Sequence, residues 1–100
     1  MKVKFHSINF TANIRLLDFI QRKVDKFHIF YDKVISIDVY LKVESSSVKQ
    51  NKLSEIKLNV PGKKLVVKKV STSFEGSIDQ CVEVLTRSLV KYKDKINQPI

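Results

Sequence analysis

Several residue types that build catalytic or ligand-binding sites are scarce in this chain of 100 residues. Its single cysteine, Cys81, excludes a disulfide framework and a cysteine-based metal site within one chain, and its place beside an apolar stripe predicts a core residue. Two glycines are too few for a loop that cradles phosphates. The two histidines, His6 and His28, do not make a metal or catalytic cluster. We therefore expect no cofactor, no metal, no small-molecule substrate and no enzymatic activity.

Long apolar runs are also absent. The first ten residues, MKVKFHSINF, alternate charged and apolar side chains and lack the apolar run of a signal peptide. No segment approaches the length of a membrane span, and a lone cysteine fits a reducing compartment. We expect a cytoplasmic protein without a membrane partner.

Acidic residues are outnumbered by basic ones. The chain has 10 Asp and Glu against 19 Lys and Arg, which gives a formal net charge of +9. This charge exceeds what a small domain needs for solubility and favours a polyanionic partner, nucleic acid before a membrane surface. The length and a hydrophobic content of 43% are typical of one domain with one core.

The spacing of apolar residues divides the chain into four strands and two helices. Alternation with a period of two predicts strands over 1–8, 34–44, 52–60 and 63–70. Steps of three and four predict a helix from Ala12 to about Tyr31 and a closing helix whose apolar stripe runs from Ile78 to Ile96.

The residues that flank these segments predict helix starts and a turn. Thr11 is the expected N-cap of the first helix, and Thr72 with Glu75 matches a capping box for the second. Pro61-Gly62 predicts a turn before the fourth strand. The predicted fold class is α+β, a β-α-β-β-β-α two-layer sandwich in which a four-stranded sheet carries both helices on one face.

Basic side chains of both helices fall on or beside the faces opposite the apolar stripes, at about 100° per residue. If the helices pack side by side, these side chains share one layer that suits successive phosphates, and arginine can grip phosphate oxygens in two places. This basic helical surface comprises Arg15, Arg22, Lys23, Lys26, Arg87, Lys91, Lys93 and Lys95. For the second helix, acidic residues early and basic residues late are also what the helix dipole alone favours.

Other functions fit parts of this pattern. A general double-stranded RNA-binding domain also uses basic helices on a sheet. A protein-interaction or homodimer module could use the edge strands and a polar sheet face that contains Tyr40, Lys42, Lys57 and Lys68. An acylphosphatase-like enzyme suits the size, but the predicted order lacks the final strand of that fold.

Three stretches of the chain resemble one protein family. FTANIRLLDFIQRKVDKF, EIKLNVPG and SFEGSIDQCVEVLTRSLVKYKDKI are similar to the opening helix, a hairpin and the closing helix of ribosome hibernation promoting factors, also called ribosome-associated inhibitors. The resemblance covers nearly the whole chain and departs from the family pattern at Ser88 and Val90.

The resemblance implies a non-enzymatic protein that binds the small ribosomal subunit between its head and body. There the basic helices would face ribosomal RNA and occupy the space of messenger and transfer RNA, and translation would stop. The RNA contacts that it implies are Arg22, Lys23, Lys26, Arg87, Lys91, Lys93 and Lys95. It also implies a short form: residues 1–100 as a single ribosome-binding domain, without the C-terminal dimerisation domain of long members, and monomeric when free.

Overall fold

The computed structural model describes residues 2–45 and 48–96. Met1, at the start of the first predicted strand, lies outside the described residues. The strands are β1 (Lys2–Ile8), β2 (Ser36–Val43), β3 (Lys52–Val60) and β4 (Lys63–Ser71), and the helices are α1 (Ile14–Phe30) and α2 (Phe74–Ile96). The order β-α-β-β-β-α confirms the predicted succession of elements.

The four strands form one mixed sheet in the order β1-β2-β3-β4. β1 pairs with β2 in parallel because α1 carries the chain back to the end of the sheet at which β1 begins. The β2–β3 and β3–β4 pairs are antiparallel. The predicted turn at Pro61-Gly62 joins β3 to β4, with Gly62 at a φ of 80°, a conformation that glycine adopts without the clash of a Cβ atom.

The core lies between the sheet and the two helices. Alternate side chains of β2 and β3 are fully buried beneath the apolar stripes of the helices, which confirms the two-layer sandwich. The fully buried large side chains are Phe27, Ile20, Ile37, Leu41, Ile56, Leu58, Ile78, Leu85, Leu89, Val24 and Val39. Ile35 lies within the predicted strand 34–44, whose alternation places it on the same face as Ile37, but it is 57% exposed because β2 begins only at Ser36.

Both helices begin one or two residues later than the sequence predicts. Asn13, not Thr11, caps α1, since its side-chain Oδ1 accepts a hydrogen bond from Leu16 N at 2.9 Å. Ser73, not Thr72, stands before α2, and its Oγ accepts from Gly76 N at 3.0 Å. The residue immediately before the first helical turn is the one whose side chain reaches the free amides.

The two helices run in the same direction across the sheet. At their N-terminal ends the rings of Phe10 and Phe74 stack with centroids 4.7 Å apart. At their C-terminal ends Tyr31 meets Tyr92 edge to face, with centroids 6.3 Å apart. Tyr92 also donates a hydrogen bond from its hydroxyl to the Pro61 carbonyl oxygen at 2.6 Å. The last turns of both helices and the β3–β4 turn therefore lie at one end of the molecule.

Candidate nucleic-acid interface

Three basic side chains of α1 lie on its outer face, away from the sheet. Arg15, Arg22 and Lys26 are exposed, while Ile20 and Val24 are fully buried on the opposite side. The three are seven and four residues apart, which brings them close to one line along the helix. They form no ion pair within the described residues, so their charges are available to a partner.

Lys23 lies in the seam between the helices rather than on the outer face. Its Nζ is 3.0 Å from Oδ1 of Asp79 in α2 and 5.3 Å from the centroid of the Phe19 ring. The Lys23 side chain retains 34% of its exposure. Part of its charge is thus balanced by Asp79, which separates Lys23 from the other basic residues of α1.

The four basic residues near the end of α2 point in three directions. Arg87 projects outward, with Nη1 3.8 Å from Oε1 of Glu83, in a pair so exposed that it contributes little stability. Lys93 lies toward α1 and donates to the Phe30 carbonyl oxygen at 3.3 Å, where a cation complements the helix C-terminus. Lys91 and Lys95 lie on the opposite flank, beside β4.

A cleft of about 250 Å³ separates that flank of α2 from β4. Lys63, Lys91 and Lys95 line it together with Tyr92, and no carboxylate does. Lys63 Nζ lies 5.7 Å from the centroid of the Tyr92 ring. Lys63 is therefore a further candidate for contact with nucleic acid. The sequence predicted it only as part of the fourth strand. Its proximity to α2 depends on where the β3–β4 turn meets the helix, which residue spacing does not show.

The positive charge is uneven along the helical layer. The first half of α2 carries the exposed Glu75, Asp79 and Glu83 and no basic residue. Basic residues instead surround the C-terminal ends of both helices and the β3–β4 turn. We call this group the basic end; it comprises Lys26, Lys63, Arg87, Lys91, Lys93 and Lys95.

His6 and Cys81, the other titratable residues considered in the sequence analysis, pack against neighbouring side chains. His6 stacks on Tyr40 with ring centroids 4.4 Å apart, on the sheet face away from the helices. Cys81 is fully buried in the core, as predicted, and burial raises the pKa of its thiol from 9.0 to about 12. Among residues 2–45 and 48–96 no group of His, Cys, Asp or Glu could hold a metal ion. Nor is any described helix long and apolar enough to cross a membrane.

Comparison with known proteins places this arrangement in a family. Residues 3–97 match the family described as Sigma 54 modulation protein / S30EA ribosomal protein. The chain belongs to this family. The S30EA family membership confirms the resemblance found in the sequence and the expectation of a protein that is not an enzyme.

Relatives of this S30EA family protein match over almost its whole length. The ribosome hibernation promoting factor of Klebsiella oxytoca is 28% identical over 98 residues, which cover 98% of this chain and 97% of the relative. That of Escherichia coli K12 is also 28% identical over 98 residues, covering 98% and 99%. That of Azotobacter vinelandii is 25% identical over 95 residues, covering 95% and 83%.

Solved structures share the fold. A ribosomal subunit interface protein from Coxiella burnetii superposes with a TM-score of 0.82 at 17% identity, covering 93% of this chain and 98% of that one. The N-terminal domain of Thermus thermophilus Protein Y gives a TM-score of 0.80 at 18% identity, covering 92% and 99%. These similarities confirm the fold class.

Proposed function

We propose that this protein is a ribosome hibernation factor that binds RNA of the small ribosomal subunit in the cytoplasm. Its helical layer would lie in the decoding channel and exclude messenger and transfer RNA, so that translation stops without any chemical step. The observation that carries the proposal is the basic end, where six basic residues from both helices and β4 surround the C-terminal ends of the helices in a member of the S30EA family. The names of the relatives support the ribosome as the partner.

The mechanism follows from charge and shape. Each Lys or Arg that contacts a phosphate releases condensed counterions, so the affinity for RNA is electrostatic and falls as salt rises. Arg87 and Arg22 can hold two phosphate oxygens at once, which fixes orientation as well as affinity. The lysines of the cleft beside β4 would follow the backbone as point charges. A domain held over its length against the channel wall then blocks other RNAs sterically.

The exposure and pairing of the seven proposed RNA contacts support unequal contributions from them. Arg22 and Lys26 are exposed and unpaired within the described residues, and Arg87 has only a weak, exposed pair. Lys23 must first leave Asp79, so we propose a smaller contribution from it. The other proposed contacts are Lys91, Lys93 and Lys95, with Lys63 as an addition from β4.

Co-sedimentation with purified small subunits over a salt series tests this proposal. We expect saturable binding of about one protein per subunit, a steep loss of affinity as salt rises, and displacement by messenger RNA with initiator transfer RNA. Binding to arbitrary duplex RNA as tight as binding to the subunit would contradict the proposal and favour a general double-stranded RNA-binding domain. A dimer in dilute solution, with no subunit binding, would favour an interaction module.

A further inference from the structure

A second cleft lies at the end of the molecule opposite the basic end. It has a volume of about 530 Å³ and lies where the N-terminal parts of both helices meet the β1–α1 connection. Three aromatic and three charged side chains line it: Phe10, Phe19, Phe74, Arg15, Arg22 and Glu75. None of the six residues of the basic end lines this cleft, although Arg22, one of the RNA contacts proposed above, does.

The apolar wall of this cleft is flat and aromatic. The rings of Phe10 and Phe74 are stacked, with their planes 13° apart. Phe10 and Phe19 remain half-buried, which leaves part of each ring at the cleft surface. Aromatic surfaces of this kind bind the faces of unstacked nucleobases, and such a contact tolerates any base.

The charged groups of the cleft lack protein partners. Arg15 and Arg22 make no ion pair within the described residues, and neither does Glu75, although it lines the same cleft as both arginines. The cleft therefore presents two planar cations and one carboxylate that do not satisfy one another. A ligand that completes it needs an anion for the arginines and hydrogen-bond donors for the carboxylate.

A guanine nucleotide has all three features that the cleft requires. Its ring is planar, its phosphate is an anion, and its Watson–Crick edge carries two adjacent donors, N1–H and the N2 amino group. A carboxylate accepts two such parallel hydrogen bonds, whereas adenine and cytosine each offer one amino group beside acceptors. The N-terminal ends of both helices also favour a phosphate at this end of the molecule.

We propose that this cleft binds a guanine nucleotide. Phe10 and Phe19 contact the base, Glu75 accepts from its N1–H and N2 amino group, and Arg15 with Arg22 holds the phosphate. The ligand is either a free guanosine phosphate or an unpaired guanosine within an RNA strand, because the recognised groups are the same. This site goes beyond the proposed function and does not require it, since it is assayed on the free protein.

Titration of the isotopically labelled protein with guanosine 5′-monophosphate, followed by NMR, tests the site. We expect shifts of the amide signals of Phe74 and Glu75 and of the Arg15 and Arg22 side-chain Nε–Hε signals, with adenosine 5′-monophosphate binding about tenfold more weakly. Parallel titrations use short single strands of uridine with one central guanosine or one central adenosine. Shifts with the mononucleotide alone identify a free nucleotide as the ligand, and shifts with the guanosine strand alone identify RNA.

Charge-matched variants assign the roles. Glu75→Gln should abolish the preference for guanine over adenine, while Glu83→Gln, on the same helix but outside the cleft, should keep it. Arg15→Gln should weaken binding of the nucleotide about tenfold, and Lys33→Gln should not. Equal binding of guanine and adenine nucleotides by the unaltered protein, or no shift at the cleft with any of the four ligands, overturns the proposal. Nucleotide binding and sedimentation with small subunits are measured separately, so either proposal can be contradicted while the other stands.

Discussion

Lys23 of α1 and Asp79 of α2 form an ion pair across the seam between the helices, with 3.0 Å between Nζ and Oδ1. The pair joins a residue proposed to contact RNA to an acidic residue of the partner helix. Both side chains keep substantial exposure, 34% for Lys23 and 54% for Asp79, so solvent screens their attraction and the pair contributes little to stability. If Lys23 contacts RNA as proposed, the pair has its greater effect on binding, because RNA then competes with Asp79 for Lys23.

Asp79→Asn should therefore strengthen binding to small ribosomal subunits at low salt. The change frees Lys23 for one more phosphate contact, which makes the salt dependence steeper by about one unit of log K against log salt. The free energy of unfolding should change by less than about 1 kcal/mol. Affinity from co-sedimentation and urea denaturation measure the two effects.

The control for this prediction separates release of Lys23 from a general change in charge. Asp18→Asn removes one negative charge from an exposed position of α1 that forms no ion pair within the described residues. In a Lys23→Gln background, Asp79→Asn should no longer change the slope. A steeper slope that persists in that background would contradict the role given to the pair.

Two exposed basic residues of α2, Arg87 and Lys91, should affect binding without affecting folding. Arg87→Ala combined with Lys91→Ala removes two exposed charges, and the only ion pair of Arg87 within the described residues is the weak one with Glu83. We expect weaker binding to small subunits and a salt slope lower by about two units, with nearly unchanged thermal stability. Lys2→Ala with Lys4→Ala on the edge strand β1 is the matched control. Equal losses in both double variants would assign binding to net charge alone, and loss of folding would make the α2 residues structural.

The spacing of apolar residues was sufficient to predict the order of strands and helices in this fold. Alternation in β2 and β3 and the stripes of both helices report burial directly, because each side chain's direction follows from its place in the repeat. The exact helix starts were not predicted: threonine can cap a helix, but Asn13 and Ser73, which cap α1 and α2, are of residue types that rank above threonine as N-caps.

Features that depend on how elements meet could not be predicted from spacing. Ser54 of β3 and Ser77 of α2 are both fully buried and share a hydrogen bond between their hydroxyl oxygens, 2.6 Å apart. In the sequence neither serine differs from an exposed polar residue, because their hydrogen bond forms only when β3 and α2 pack together. The directions of the basic side chains could not be predicted either. Lys93 points toward α1 and Lys91 toward β4, although they are only two residues apart in α2.

Tyr92→Phe should loosen the end of α2. The change removes the hydrogen bond from the Tyr92 hydroxyl to the Pro61 carbonyl oxygen but keeps the ring that contacts Tyr31. We expect the free energy of unfolding to fall by about 1 kcal/mol and amide hydrogen exchange to become faster in the last turns of α2. Tyr40→Phe is the control, because the Tyr40 hydroxyl forms no hydrogen bond within the described ranges. Equal effects of the two changes would refute a tether at Pro61.

Cys81 should make the stability of the protein depend on pH in the alkaline range. Burial raises the pKa of its thiol from 9.0 to about 12, so the folded state keeps the proton at a pH where the unfolded state loses it. Below pH 9 both states are protonated and the thiol has no effect on the pH dependence. Between pH 9 and about 12 the unfolded state binds fewer protons, and this stabilising contribution of the neutral thiol is lost as pH rises.

Urea denaturation of the protein and of Cys81→Ala between pH 7 and 10.5 measures this contribution. All other side chains are common to both proteins, so the difference in unfolding free energy between the two isolates the thiol. That difference should be constant up to about pH 8.5. Above this pH the unfolding free energy of the protein with Cys81 should fall relative to that of Cys81→Ala by up to about 1.4 kcal/mol per pH unit. A thiol-specific reagent should react with Cys81 only after denaturation, because the side chain is fully buried. A difference that stays constant to pH 10.5, or rapid labelling of the native protein, would show that the thiol is not held neutral in the core.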